Sequence, residues 1–411
     1  YFHSNKIQIG DYIFTKSGYK TISGGMIIKY DKEGAVKWAE TIKGNSSVEI
    51  QGVMGTNDGG YIAVGFFTGE TLSIDDVDTG LANVTSNKKG LILKFGSSGN
   101  YEWSKEVAEE GIDVDATAVA QNLQGNIVVG LTTTGNAKVV ELSNIDGNMI
   151  NQTSISADVK MTDMEAKDSM QVVIVSEGLK DTTTGRVDLY QDGAVSSGAE
   201  LDFNARAVAK LYSGKIIIIG SYTGTSQTVS SKGNYDGVIV EYDVNSNLLS
   251  NAKFIRGSLD EVLTSVDSSS DGGFIIGGYT YSSGVDFNQD DTNEISSISG
   301  SSDGFVIKYS SEGEQEWFKQ VTGDNLDEVT GVAERDDNEF TTVGYFNSTS
   351  LKADTNDSEE ITLTKYSDGF IINYGEIVIA PEVPESSEIT VENKLAKYEI
   401  TTDVKEVDGI K

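Results

Sequence analysis

Three stretches of this 411-residue chain concentrate oxygen donors: Asp75-Asp-Val-Asp78, Asp286-Phe-Asn-Gln-Asp-Asp-Thr-Asn-Glu294 and Asp354-Thr-Asn-Asp-Ser-Glu-Glu360. Alternating donors such as Asp286, Asn288 and Asp290, followed by Glu294, are what Ca²⁺ needs, since it takes roughly 6–8 oxygens. The stretch lacks the Gly at the sixth place and the Glu at the twelfth that mark an EF-hand. Asp286, Asn288, Asp290 and Glu294 are therefore a candidate calcium set, and a solvated acidic loop is the alternative. A second series lies at the starts of short apolar segments: Glu49, Asp115, Asn204, Asp260, Glu261, Asp327 and Glu328. If those segments converge on one axis, Glu49, Asp115, Asp260 and Glu328 are candidate ligand-binding residues at its mouth. Converging carboxylates there would hold a cation or a water network, and desolvation would raise some of their pKa values. The other reading is that segment starts simply point into solvent. Aromatics close a further set of segments at Phe66, Phe67, Tyr222, Tyr279, Tyr281, Tyr345 and Phe346. They fit internal packing, or a stacking platform for a sugar or a protein.

Other chemistry is excluded by what the chain lacks. His3 is the only histidine and there is no cysteine, which removes Ser-His and Cys-His nucleophiles, thiolate metal sites and disulfides. No G-x-x-x-x-G-K-[ST] phosphate loop and no sialidase-type S-x-D-x-G-x-x-W box occurs. Paired carboxylates could hydrolyse a glycoside, but with 64 acidic residues no pair stands out. A formal charge of −33 repels phosphate backbones and anionic leaflets, so neither nucleic acid nor membrane insertion is expected. No apolar run reaches the roughly 18 residues that span a bilayer. The first six residues have no apolar core of a signal peptide, so any such peptide would have to lie outside this sequence.

The elements that must position these groups repeat. A small residue, an apolar run, then Lys, Glu or Asn and an aromatic recur seven times, as in Gly25-Met-Ile-Ile-Lys-Tyr30, Gly90-Leu-Ile-Leu-Lys-Phe95, Gly237-Val-Ile-Val-Glu-Tyr242 and Gly304-Phe-Val-Ile-Lys-Tyr309. Internal repetition of this kind marks a repeat architecture. In one unit, Glu328-Val-Thr-Gly-Val-Ala333, Glu339-Phe-Thr-Thr-Val-Gly-Tyr345 and Gly369-Phe-Ile-Ile-Asn-Tyr374 read as three strands. The preceding unit supplies the fourth in Gln315-Glu-Trp-Phe-Lys-Gln-Val321. Four short antiparallel strands per unit, parted by Gly/Asp/Asn/Ser turns, predict the blades of a β-propeller. One aligned column of the first strand reads Gly52, Ala118, Met164, Ala207, Ser265 and Gly331, mostly small, as expected where inner strands crowd an axis. Seven third-strand copies predict an all-β, seven-bladed propeller of four-stranded blades over residues 1–380, with Ile7 to Thr15 supplying at least a second strand so that the ring closes. Pro381 and Pro384, the only prolines, predict a linker at 381–388, and residues 389–411 read as the first strands of a further, truncated β domain.

Asp303-Gly-Phe-Val-Ile-Lys-Tyr309, Gly313 and Trp317, followed by Glu328-Val-Thr-Gly-Val-Ala333 and a turn, resemble the bacterial seven-bladed β-propeller repeat family, which reads DAFV-x-K…G…W and then G-x-A-x-D-x-x-G. The resemblance covers about residues 20–380 and weakens in the two central units, where Trp is replaced near Asn151 and Ser197. The tail from Glu388 looks like the opening of repeat domains in Gram-positive surface proteins. Asp31-Lys-Glu-Gly-Ala-Val-Lys-Trp38 also fits the D-x-x-G-x-x-x-W spacing of quinoprotein propellers, but Trp survives only at 38, 103 and 317, which reads as blade-to-blade packing. The family resemblance implies a secreted or wall-attached bacterial protein, a monomeric propeller within a longer chain, and carries no common catalytic residues. The expected function is a non-enzymatic binding or adhesion module contacting a protein or glycan through propeller loops. The alternatives are a carbohydrate-active hydrolase or lyase using carboxylates at the channel mouth, and a structural spacer.

Overall fold

Segments rich in Val and Ile and punctuated by turn residues form strands throughout. In the computed structural model, residues 6–9, 12–15, 23–31, 35–81, 87–166, 171–179, 185–290, 292–336, 339–354, 361–362, 368–374 and 404–405 are described. The chain is a seven-bladed β-propeller with antiparallel blades in a ring. The second blade, for example, runs Val48–Gly55, Tyr61–Phe67, Lys89–Phe95 and Tyr101–Val107 from the axis outward. The third to sixth blades repeat that order, and their first strands are Val114–Gln121, Val159–Ala166, Asn204–Lys210 and Glu261–Ser268. Gly25–Tyr30 and Val36–Gly44 pair in the first blade, and Asp327–Asp336, Glu339–Phe346 and Asp368–Tyr374 in the seventh. The N-terminal segment forms a hairpin, Lys6–Ile9 with Tyr12–Thr15, and its first strand also pairs with Val404–Lys405. The proline linker, residues 389–403 of the tail and His3 lie outside the described residues.

Each sheet is covered on both faces by its neighbours, which is why the middle strands read as unbroken apolar runs rather than alternating ones. Ile216–Tyr222 and Asp303–Tyr309 are buried along their whole length. Among the described residues, separate buried apolar clusters lie at each interface from the first and second blades to the sixth and seventh, and Met26, Ile28, Tyr30, Val36 and Ala39 of the first blade pack against a further one. The tryptophans pack blade on blade, as the sequence suggests. Gly99 of the second blade lies against the Trp38 ring of the first, and Gly147 of the third against Trp103 of the second, each at a place with no room for a Cβ.

Every first strand from the second blade to the seventh carries a β-bulge at the same register, leaving Gln51, Thr117, Thr162, Arg206, Thr264 and Thr330 unpaired in turn. A bulge leaves one residue unpaired and bends the strand. In four of these blades a carbonyl beside the bulge closes on the second strand, whereas the third and fourth have Leu131 and Ser176 at that place. A Cβ on Gly65, Gly220, Gly278 or Gly344 would sit 1.9, 2.2, 2.4 or 2.0 Å from the carbonyl oxygen of Glu49, Asn204, Val262 or Glu328. These second-strand glycines are thus demanded by close approach, unlike the turn glycines Gly59 and Gly272, whose φ of 81° and 90° requires the left-handed region. The pairing register also corrects the small-residue column: in the fourth blade its member is Asp163, paired with Val175, not Met164. Asp163 Oδ2 accepts Val208 N of the next blade at 3.0 Å, as Ser265 Oγ accepts Val332 N at 3.3 Å.

In four of the motifs the polar residue before the final aromatic or leucine latches the first-to-second-strand turn. Lys94, 0% exposed, donates to Thr56 Oγ1 and Asp58 Oδ1 in the first-to-second-strand turn, both at 2.9 Å. Lys308 likewise donates to Asp271 Oδ2 at 2.7 Å. Where the motif has Glu, the turn supplies donors instead: Asn122 and Asn126 reach Glu141, and Lys215 reaches Glu241. A buried charge is tolerated only with such partners.

Three of the long second-to-third-strand loops lay a short strand on the outer edge of the preceding blade. Leu72–Ile74 pairs with Val36–Gly44, Val285–Asp286 with Leu248–Gly257, and Ser350–Lys352 with Gln315–Gly323. These straps cover edges that would otherwise template aggregation. Gly344→Ala should lower stability by about 1–3 kcal/mol through overpacking, read as a drop in thermal midpoint. Gly55→Ala, where a Cβ meets nothing within 4 Å, should leave the midpoint unchanged.

Candidate binding site at the axial mouth

The bulge residues define the axis. Gln51, Thr117, Thr162, Arg206 and Thr264, from five successive blades, line one cavity of about 300 Å³ together with Lys160, Met161, Val262, Leu263 and Tyr279. Two of its threonines are already spent on neighbouring blades: Thr162 Oγ1 donates to Ala205 O at 3.0 Å and Thr264 Oγ1 to Val329 O at 2.8 Å. This ring was legible in the sequence as one polar residue between an apolar and a small or polar one, as in Ile50-Gln-Gly52, Ala205-Arg-Ala207 and Val329-Thr-Gly331. Its meaning depends on the bulge, which spacing does not show.

Two residues before each bulge residue, the first strands place Glu49, Asp115, Lys160, Asn204, Val262 and Glu328 opposite Phe66, Thr132, Glu177, Ser221, Tyr279 and Tyr345. Glu49, Asp115, Asn204 and Glu328 therefore occupy equivalent positions. Asp260 lies two residues earlier, where its Oδ1 accepts Tyr235 N at 3.3 Å. Glu261 and Asp327 fall on the intervening, buried register. Lys160 was not anticipated at the mouth, and neither was Arg206. Both pair with Glu177, at 2.9 and 3.3 Å. Asp115 pairs with Lys88 at 3.2 Å, and burial, only partly offset by that lysine, raises its pKa.

The rim aromatics divide. Phe66, Phe67, Tyr222 and Phe346 are core, whereas Tyr279 and Tyr281 are half-buried and Tyr345 is 39% exposed. Tyr279 and Tyr281 meet edge to face, 83° apart with centroids at 5.8 Å. Tyr345 OH donates to Glu328 Oε2 at 2.6 Å. The first two strands of the sixth blade pack on the first strand of the seventh, so Glu328 is flanked by Tyr279 of one blade and Tyr345 of the next. Burial first, then the charge of Glu328, pushes Tyr279 up to about 12, and the same two causes raise Tyr281. Burial raises Glu328 itself, against the hydrogen bond from Tyr345.

The candidate calcium residues lie elsewhere, on the strap between the fifth and sixth blades. One carboxylate oxygen each from Asp286, Asp290 and Glu294 lies within 4.8 Å of the others. Asn288 Oδ1 accepts Asp290 N at 3.0 Å within the same loop, whose ends are tied by Val285 N to Ile295 O at 2.9 Å. Asp286 is 0% exposed, and its Oδ2 accepts no hydrogen bond among the described residues. Lys232 Nζ and Arg256 Nη2 stand 3.8 and 3.9 Å away. In the other two acidic loops, Asp75 accepts Thr41 N and Oγ1 at 2.9 and 2.8 Å, and Asp354 pairs with Lys319 at 2.7 Å. Residues 355–360 lie outside the described residues.

Buried acids with raised pKa values sit at blade interfaces. Glu261 is raised by burial and by the facing Asp236, while Thr280 Oγ1 and Gly257 N donate to it at 2.9 and 2.5 Å. Burial, against hydrogen bonds from Ser348, pushes Asp327 up to about 7, with Asp303 adding repulsion. Burial pushes Asp163 to about 6 despite two backbone donors.

The fold defines a β-propeller, and no family model or curated relative matches the chain. Among solved structures it is similar to a protein of unknown function from Bacteroides caccae (13% identity, 77% of this chain and 94% of that one, TM-score 0.43). It is also similar to a streptogramin B lyase (12%, 77% and 83%, 0.43) and to BamB from Moraxella catarrhalis (12%, 82% and 92%, 0.40).

The raised acids hold their protons more tightly folded than unfolded. Their stabilisation is complete below about pH 4 and drains as pH rises through about 6 to 7. The thermal midpoint should accordingly be higher at pH 5 than at pH 8, and Asp327→Asn should flatten that slope.

Proposed function

We infer that this propeller is a non-catalytic binding module of a secreted or cell-surface protein, engaging a protein or glycan at the mouth of its axis over the sixth and seventh blades. The observation that carries the reading is the patch of Tyr279, Tyr281 and Tyr345 around Glu328 beside the axial cavity. Tyrosines with part of the ring in water supply contact area at small entropic cost, and Tyr345 has its hydroxyl anchored on Glu328. The chain's single histidine and lack of cysteine leave few groups for nucleophilic or acid–base chemistry, and its charge favours neutral or cationic partners.

Binding to an immobilised panel of glycans and proteins, without product release, is the expected result, with Tyr281→Ala weakening it about tenfold. Release of reducing sugar that disappears in Glu328→Gln would favour the hydrolase reading instead.

A calcium ion on the strap belongs to the same reading. It is supported by the converging Asp286, Asp290 and Glu294 carboxylates and by the buried Asp286 oxygen left without a hydrogen bond. A ligand that binds only the folded state at about 100 times its Kd stabilises by about 2.7 kcal/mol. Ca²⁺ should thus raise the thermal midpoint over EDTA in the wild type and not in Glu294→Gln. An equal midpoint in both buffers rules the ion out.

A further inference from the structure

The chain contains its own example of a ligand for this mouth. In the second blade, Lys88 Nζ lies 3.8 Å over the Phe66 ring and pairs with Asp115 of the third blade at 3.2 Å. By strand register, Phe66 is the equivalent of Tyr279, and Asp115 is the equivalent of Glu328. An aromatic from one blade and a carboxylate from the next therefore face each other at both interfaces. At the second and third blades the gap is filled by a lysine. At the sixth and seventh, the residue in Lys88's register is Ser302, which is buried and too short to reach.

We propose that the gap between Tyr279 and Glu328 is a cage for the ammonium group of a lysine on a basic protein segment, docking as Lys88 does internally. This rests on the binding-module reading and names its ligand chemistry. Aromatic faces attract cations through the ring quadrupole, most strongly when water is excluded. Tyr279 and Tyr281 present two such faces nearly at right angles, and Glu328, 7% exposed, supplies the counter-charge. Tyr345 holds that carboxylate by one oxygen at 2.6 Å. Lys160 and Arg206 pair with Glu177 and Lys88 with Asp115, and of these Arg206 also lines the cavity beside Tyr279, which feels its charge. Among the described residues, no lysine or arginine forms an ion pair with Glu328. Asp260 adds a second negative charge felt by both Tyr279 and Tyr281, and the −33 charge of the whole chain steers a basic segment toward it.

The test is titration calorimetry of the full chain with an oligopeptide containing lysines, the same peptide with norleucine in their place, and a neutral oligosaccharide panel. The lysine peptide should bind at least about tenfold more tightly than the norleucine peptide. Both Glu328→Gln and Tyr281→Ala, each checked for an unchanged thermal midpoint, should remove that difference. Tyr345→Phe, which only frees the carboxylate, should weaken binding by less. Equal binding of the lysine and norleucine peptides, or an unaltered Glu328→Gln, overturns the cage. Oligosaccharide binding without lysine-peptide binding overturns the cage and leaves the binding-module reading standing. Sugar release dependent on Glu328 removes that reading too.

Discussion

Two-sided burial governs this molecule. Each sheet is sandwiched between its neighbours, so residues on a middle strand face another blade, and a series of inter-blade cores replaces a single central one. Burial of that kind stabilises by about 25 cal/mol per Å² of apolar surface. It also leaves no face on which an unpaired polar group can escape to water. One residue per first strand, from the second blade to the seventh, is turned out of the ladder, and in four blades a carbonyl beside the bulge closes on a second-strand glycine with no room for a Cβ.

The polar groups that remain inside follow from the same constraint. Lys94 and Lys308 are enclosed yet reach turn acids. Where the motif carries Glu141 or Glu241, the turn changes to Asn or Lys. Among these four repeats the sign of the charge differs while the contact to the turn is the same. The straps extend this logic outward, since Leu72, Val285 and Leu351 bury apolar groups over the neighbouring blade while pairing its free edge.

The axial mouth is where the repeat is least uniform. Equivalent positions carry Glu49, Asp115, Lys160, Asn204, Val262 and Glu328, so pairs that close the ring on one side leave it open on the other. Lys88 pairs with Asp115 of the third blade, and Glu177 with Lys160 and Arg206 of the fourth and fifth. Over the sixth and seventh, Tyr345 bonds Glu328 and Tyr279 meets Tyr281, and among the described residues no lysine or arginine pairs with that carboxylate.

Much of the fold was legible because it is local and repeated. Apolar runs of fixed length, turn glycines and seven copies of one phrase specify strands, hairpins and blade number without any long-range information. The tryptophan packing and Glu328's place at the mouth follow from that alignment. What the sequence could not settle are the features that depend on register. The strand pairing puts Asp163 rather than Met164 in the small column, and Val262 rather than Asp260 or Glu261 in the ring. The long acidic loops look like free surface until tertiary pairing shows them strapped to a neighbour. Which charges neutralise one another around the axis was likewise decided only by folding, because the partners come from different blades.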